Sequence, residues 1–139
     1  MVSGRGLENI YDHLKQSGMY EPDWLAARLA AAQDPAAVIA EAGSSNEALI
    51  CAEALALFLS AYGGAAGNLA LSGMASGGFY IGGGIAPKLL NNLKNSGFMS
   101  AFTDKCRFSE FLGRIPVRVI LEPKTALQGA AVAALRLTI

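Results

Sequence analysis

The stretch GGFYIGGGIAPKLL, residues 77–90, limits what this chain can fold into more than any other. A short aromatic and β-branched run leads straight into Gly82, Gly83 and Gly84, and Ile85, Ala86, Pro87 and Lys88 follow. Three glycines in a row are costly in backbone entropy, so the backbone there must be bare for a reason: another segment or a ligand comes very close. Residues 78–81 read as a buried strand. Pro87 suits the first turn of a helix that continues to about residue 95. A strand, a glycine loop and a helix in succession point to an α/β fold.

Such a unit needs a second strand. Val117 to Leu121, set off by Pro116 and Pro123, is the only other convincing one. Elsewhere the periodicity is helical. Ser3, Gly4, Arg5 and Gly6 read as a turn, after which Leu7, Ile10, Tyr11 and Leu14 recur at helical spacing until Ser17 and Gly18 stop them. A second helix starts at Asp23, and Asp34 with Pro35 caps and opens a short third one. The longest helix spans about 47–62 and resumes through residue 71 after Gly63 and Gly64. Its apolar positions wrap most of the way round, which predicts burial on several sides. Residues 97–111 read as loop with short helical turns, and Thr125 caps a last, small and apolar helix over 126–137. Two strands rarely make an independently stable sheet, so this α/β chain is short of strands.

Its 139 residues amount to one domain's worth of chain. Apolar residues make up 53% and charged residues 16%, the balance of a globular and rather greasy protein. Eleven basic residues cancel eleven acidic ones, which argues against nucleic acid or a membrane surface as partner. Glu53, Asn68 and the glycines interrupt the best candidate for a membrane span. The mean hydropathy of +0.36 instead predicts surface that meets a partner, either a second copy in a homodimer or a missing part of the same protein. Cys51 and Cys106 form no CxxC pair, so neither a metal site nor a disulfide framework is expected, and a reducing cytoplasm is the default location. The N-terminal residues lack the basic and apolar regions of a signal peptide.

A strand, a glycine loop and a helix N-terminus together offer backbone N–H groups to a phosphate or nucleotide. Two phosphate motifs fail here. Lys88 lacks the glycine before it and the hydroxyl residue after it that a P-loop needs, and Gly82-x-Gly84 lacks the third glycine of a dinucleotide fingerprint. On pattern alone the choice stays open between a ligand over the glycines and a helix packed tightly on a strand.

Five blocks taken together, SGRGLENIY, GGAAGNLAL, GGFYIGGGIAPKLL, SGFMSAFTDKCRFSEFL and IPVRVILEPKTALQGAA, resemble the C-terminal part of bacterial-type glucokinases, sugar kinases of the actin-like superfamily. The resemblance implies a helix-rich part of the C-terminal actin-like (ribonuclease H-like) ATPase lobe, with two or so strands of its sheet present. It implies ATP with Mg²⁺ as cofactor and glucose as the phosphate acceptor. Gly82, Gly83, Gly84 and Ile85 would line the adenosine pocket, with Pro87 and Lys88 opening the helix behind it. Ser3 and Gly4 match a turn near the nucleotide side of the cleft, where phosphate contact and plain helix initiation are equally open. Gly63, Gly64 and Asn68 would pack beside the strand, and Gly129 and Ala130 match the interdomain connector helix.

Two departures stand out. The family usually has glycine where this chain has Cys106, a change that alters the loop if that position needs positive φ. The family's phosphate-binding loop, catalytic base and sugar-binding blocks have no counterpart among these residues. The expectation is therefore a fragment that supplies no catalytic residue and does not phosphorylate sugar alone. A non-catalytic self-associating domain, and part of a glucokinase fused to a sugar-sensing regulator, are the alternatives. Other residues carry plain readings: His13 is solvated, Cys51 fills the core, and Trp24 and Tyr20 pack from a cap onto the core. Asp104, Lys105 and Arg107 form a solvated turn, and Glu122 ends a strand in solvent unless it meets a ribose hydroxyl.

Overall fold

A computed structural model describes residues 3–137. Four helices come first: α1 (Gly4–Gln16), α2 (Asp23–Ala30), α3 (Pro35–Ser44) and α4 (Leu49–Ser72). Strand β1 (Phe79–Ile81) follows, then α5 (Ile85–Lys88), α6 (Leu90–Asn95), α7 (Phe98–Thr103), a 3₁₀ turn at Cys106–Phe108 and α8 (Ser109–Gly113). Strand β2 (Val117–Val119) and α9 (Thr125–Leu137) complete the order.

Side-chain caps explain where α1 and α3 begin, while α2 and α4 start without one. Ser3 is the N-cap of α1, its Oγ accepting from the Gly6 N–H at 3.2 Å, so the expected turn is already the helix start. Asp34 does the same for α3, accepting from the Ala37 N–H at 3.2 Å ahead of Pro35 in the first turn.

Helix α4 is the centre of the fold. By length and composition it is apolar enough to cross a membrane. It lies instead among α1, α3 and α7, with Ile50, Cys51, Ala54, Phe58, Leu59 and Ala70 buried. It does not break at Gly63 and Gly64, and the reason is packing. A Cβ on Gly63 would stand 2.0 Å from the Phe98 carbonyl oxygen, and one on Gly67 2.3 Å from that of Phe102. Close approach of α7 thus requires glycine there, and tertiary contact overrides weak helix propensity. This also corrects the expected packing of that block: Gly63 meets α7 rather than the strand, Gly64 has open space at its Cβ position, and Asn68 is exposed. An aromatic chain from Phe58 through Tyr62, Phe98 and Phe102 to Phe79, with centroids 5.5 to 6.4 Å apart, runs from α4 across α7 to β1.

The strands pair in parallel, Phe79 opposite Val117, Tyr80 opposite Arg118 and Ile81 opposite Val119. Both are shorter than expected. Ile81 alone among the three β1 residues is buried, while Tyr80 faces outward under the Arg118 guanidinium at 5.7 Å. The helix expected to run from Pro87 to residue 95 is split, because Leu89 (φ −105°, ψ 19°) leaves helical geometry and is buried in the core.

Other plain readings divide. His13 is exposed and Cys51 is buried, as expected. Tyr20 and Trp24 are not core-packed: they stand 78% and 46% exposed, because Leu25 is the α2 residue that reaches the interior. Cys106 adopts φ +48°, so the positive φ expected to alter this loop is present. No residue of α9 is buried among the described residues.

Candidate functional site

Parallel strands joined by a helical crossover carry their ligands beyond their C-terminal ends, because the loops leave the sheet there. In this chain that edge consists of Gly82, Gly83 and Gly84 after β1 and Ile120, Leu121 and Glu122 after β2. The Ile120 N–H donates to the Ile81 carbonyl at 2.9 Å and holds the two ends side by side.

The three glycines are exposed. Gly83 has φ +102°, a conformation side-chain-bearing residues rarely take. A Cβ on Gly83 or Gly84 would meet no atom within 4 Å, and one on Gly82 would make only ordinary contact with Ile120 Cδ1 at 3.7 Å. Packing of this chain on itself therefore does not account for bare backbone at 83 and 84. The choice left open by pattern narrows to backbone conformation and outside approach. Helix α5 behind the turn has only four residues, so its dipole adds little, and the surface on offer is the turn itself.

Beside the turn lies a cavity of about 90 Å³. Gly4 and Leu7 of α1, Asp34 before α3, Ala36 of α3, Phe58 of α4, and Ile85 and Lys88 of α5 are among its walls. Four segments far apart in sequence meet there, and three expected site residues, Gly4, Ile85 and Lys88, are brought together. Its only charged lining residues are Asp34 and Lys88, with Nζ 3.9 Å from Oδ2. A wider, open groove of about 940 Å³ lies between α3, α4 and α6 and shares Ala37, Ala40, Lys88 and Leu89 with it. Neither is lined by the three glycines, but the smaller cavity reaches Ile85, the residue after them, and the groove does not.

The other expected residues stand as follows. Ser3 is exposed and its hydroxyl is engaged as a cap. Gly129 and Ala130 lie on exposed α9 and line none of these cavities. Glu122 turns its carboxylate to the Lys124 N–H at 2.9 Å, a local role that fits the solvated reading. Asp34 is the residue that sequence reading took only as a cap. Its neighbour Lys88 is distant in the chain, and no local pattern signals the pairing.

A third cluster sits away from the turn. The Tyr11 hydroxyl donates to Glu21 Oε1 at 2.5 Å, and Lys15 Nζ pairs with Glu21 Oε2 at 2.5 Å. Burial favours the protonated form of Glu21. The hydrogen bonds from Lys15 and Tyr11, with the Lys15 charge, outweigh it and hold the carboxyl below the ordinary carboxylate range. Burial, then Glu21, raises the Tyr11 hydroxyl well above its ordinary value.

These features define an α/β chain whose exposed glycine turn stands at the C-terminal ends of its two paired strands. Comparison with known proteins gives the family. A glucokinase family model matches residues 1–137. Among similar proteins, a glucokinase of Nostoc punctiforme is 41% identical over 99% of this chain and 43% of its own length. A glucokinase of Synechocystis is 38% identical over 96% of this chain and 41% of its own length. The crystal structure of a glucokinase from an Antarctic psychrotroph superposes with a TM-score of 0.72 at 32% identity, covering 94% of this chain and 38% of that one. The chain belongs to the glucokinase family. It spans less than half the length of the curated relatives it matches.

Proposed function

We propose that this chain is the C-terminal region of a glucokinase and supplies the adenosine side of its ATP site. The intact protein would move the γ-phosphoryl of ATP, bound with Mg²⁺, to a glucose hydroxyl. The observation that carries this reading is the exposed turn at Gly82, Gly83 and Gly84, bare without any close contact that explains Gly83 and Gly84, beside a cavity walled by Ile85, Lys88 and Gly4. A nucleotide lying along this turn would press its ribose against backbone where a Cβ would collide.

Phosphoryl transfer needs a base at the acceptor hydroxyl and closure that excludes water. The 139 residues hold no block that matches the family's base or sugar-binding residues, so this chain alone would form no glucose 6-phosphate. The catalytic residues and the glucose contacts belong to sequence outside it, and α9 with Gly129 and Ala130 would be the connector to that region. The exposed apolar residues Leu49, Leu57 and Leu69 along α4 also favour association, with a second copy as the simplest partner. The proposed setting is the cytoplasm.

Calorimetric titration of ADP into the chain, with Gly84→Val as control because Gly84 has ordinary helical φ and open space at its Cβ position, tests the reading. Micromolar binding lost in the variant supports it. Binding unchanged by valine would remove the glycine turn from the site, and ATP-dependent glucose 6-phosphate from the pure chain would overturn the assignment of catalysis elsewhere.

A further inference from the structure

Away from the glycine turn, the open groove between α3, α4 and α6 has walls of a different chemistry. Asparagine and serine side chains outnumber charged ones along it, and the buried Leu55, Leu59 and Leu89 give it an apolar floor. The charges at its border are already engaged. Glu41 and Glu47 share Arg28, with Nη2 2.7 Å from Glu41 Oε2 and Nη1 3.5 Å from Glu47 Oε2, and Lys88 Nζ stands 3.9 Å from Asp34 Oδ2. Neither an anion nor a cation would meet an unengaged opposite charge here, so recognition is left to neutral groups.

Those groups stand ready on α6. Asn91 and Asn95 lie one turn apart, both exposed, and neither side chain has a hydrogen-bond partner among the described residues. Asn92 is tied across the groove to α3. The Ser44 hydroxyl has one proton for two oxygens, the Ala40 carbonyl at 2.6 Å and Asn92 Oδ1 at 3.1 Å. When the carbonyl takes that proton, the amide turned about satisfies the hydroxyl by donating from its NH2. In both arrangements the other end of the amide remains for a ligand.

We propose that this groove binds a neutral, hydroxyl-rich ligand, a short linear oligosaccharide, at a site separate from the nucleotide turn. An amide carries a donor and an acceptor in one plane, and a sugar hydroxyl is likewise both, so the two are complementary either way round. The leucine floor suits the C–H faces of the rings. About 940 Å³ is near the upper end of the ~300–1,000 Å³ of single-ligand pockets, which favours several joined rings over one. Such binding needs neither ATP nor residues outside this chain.

The test follows the isotope-labelled 139-residue chain by two-dimensional NMR as maltotriose or cellotriose is added. Saturable shifts at residues 44–47 and 91–96 are expected, with a dissociation constant on the order of 1 mM, since each exposed hydrogen bond gains little over water. Asn91→Ala combined with Asn95→Ala favours the helix, so the thermal midpoint should hold while binding weakens by roughly tenfold. No saturable shift with either trisaccharide, or binding unchanged in the double variant, overturns the proposal. Non-saturating shifts spread over the whole surface, the mark of bulk sugar, overturn it as well. None of these outcomes bears on ADP at the glycine turn, which the Gly84→Val titration decides.

Discussion

The main-chain carbonyl of Phe98 occupies the space that a side chain on Gly63 would take, 2.0 Å from the ideal Cβ position. Gly64, the next residue on α4, has nothing within 4 Å of the same point. Two adjacent glycines in one helix therefore have opposite meanings. Gly63→Ala should lower unfolding stability by about 2 kcal/mol or more, because backbone on α7 cannot yield cheaply. Gly64→Ala should raise it by about 0.5–1 kcal/mol through helix propensity. Urea midpoints of the two variants at equal m-value check the contrast.

Cys106 holds φ +48°, a conformation that costs a side-chain-bearing residue about 1–2 kcal/mol. Cys106→Gly removes that strain but loosens the unfolded chain. A net gain of about 0.5–1 kcal/mol is expected by thermal or urea unfolding, and a loss would show that the thiol has a packing role.

The two thiols should react very differently. Cys51 is buried in α4, and burial pushes its thiol up to about 11, whereas Cys106 is exposed. A thiol reagent at pH 8 should label one site per folded chain quickly and the second only after unfolding. In Cys106→Ser the fast phase should vanish.

Glu21 is 12% exposed and tied to both Tyr11 and Lys15. Its folded carboxyl is held below its ordinary value, so the ionised form is the one that folding favours. That contribution is complete above about pH 4.5 and is lost as pH falls through the lowered value. Tyr11 has the opposite sign: its raised hydroxyl stabilises the fold below pH 10 and ceases to as pH climbs beyond it. Urea midpoints from pH 7 down to pH 2.5 should therefore drop less steeply in Glu21→Gln than in the parent chain, from a lower starting stability. Identical slopes would mean that Glu21 plays no part in acid unfolding.

What the sequence made legible was local chemistry. Pro87, Asp34 before Pro35, and the triplet at Gly82, Gly83 and Gly84 each constrain their own backbone, so the two strands, the α3 cap and the turn could be located without coordinates. Thr125, expected as a cap, is instead the first residue of α9 and donates its hydroxyl to the Glu122 carbonyl. The mistakes were tertiary. Gly63 looked like a helix break because its partner, Phe98, comes from another helix, and Trp24 looked like core because aromatic residues usually are. Leu89 interrupts a helix that periodicity continued, since burying its side chain outweighs the regular turn. Cys106 is the instructive middle case: the resemblance marked the position, and the backbone angle gave a physical reason why glycine would suit it. Asp34 beside Lys88 was beyond reach, as a pairing between two exposed charges leaves no periodic trace.

Helix α9 has a further consequence. With no residue buried, its 13 residues are close to an isolated peptide of marginal length, whose backbone amides open without the rest of the fold. In deuterated water those amides should exchange almost at once, while those of α4 persist to the limit set by global unfolding. The helix is thus a built-in reporter: whatever docks along Leu127 and Val132 will appear as slowed exchange confined to α9.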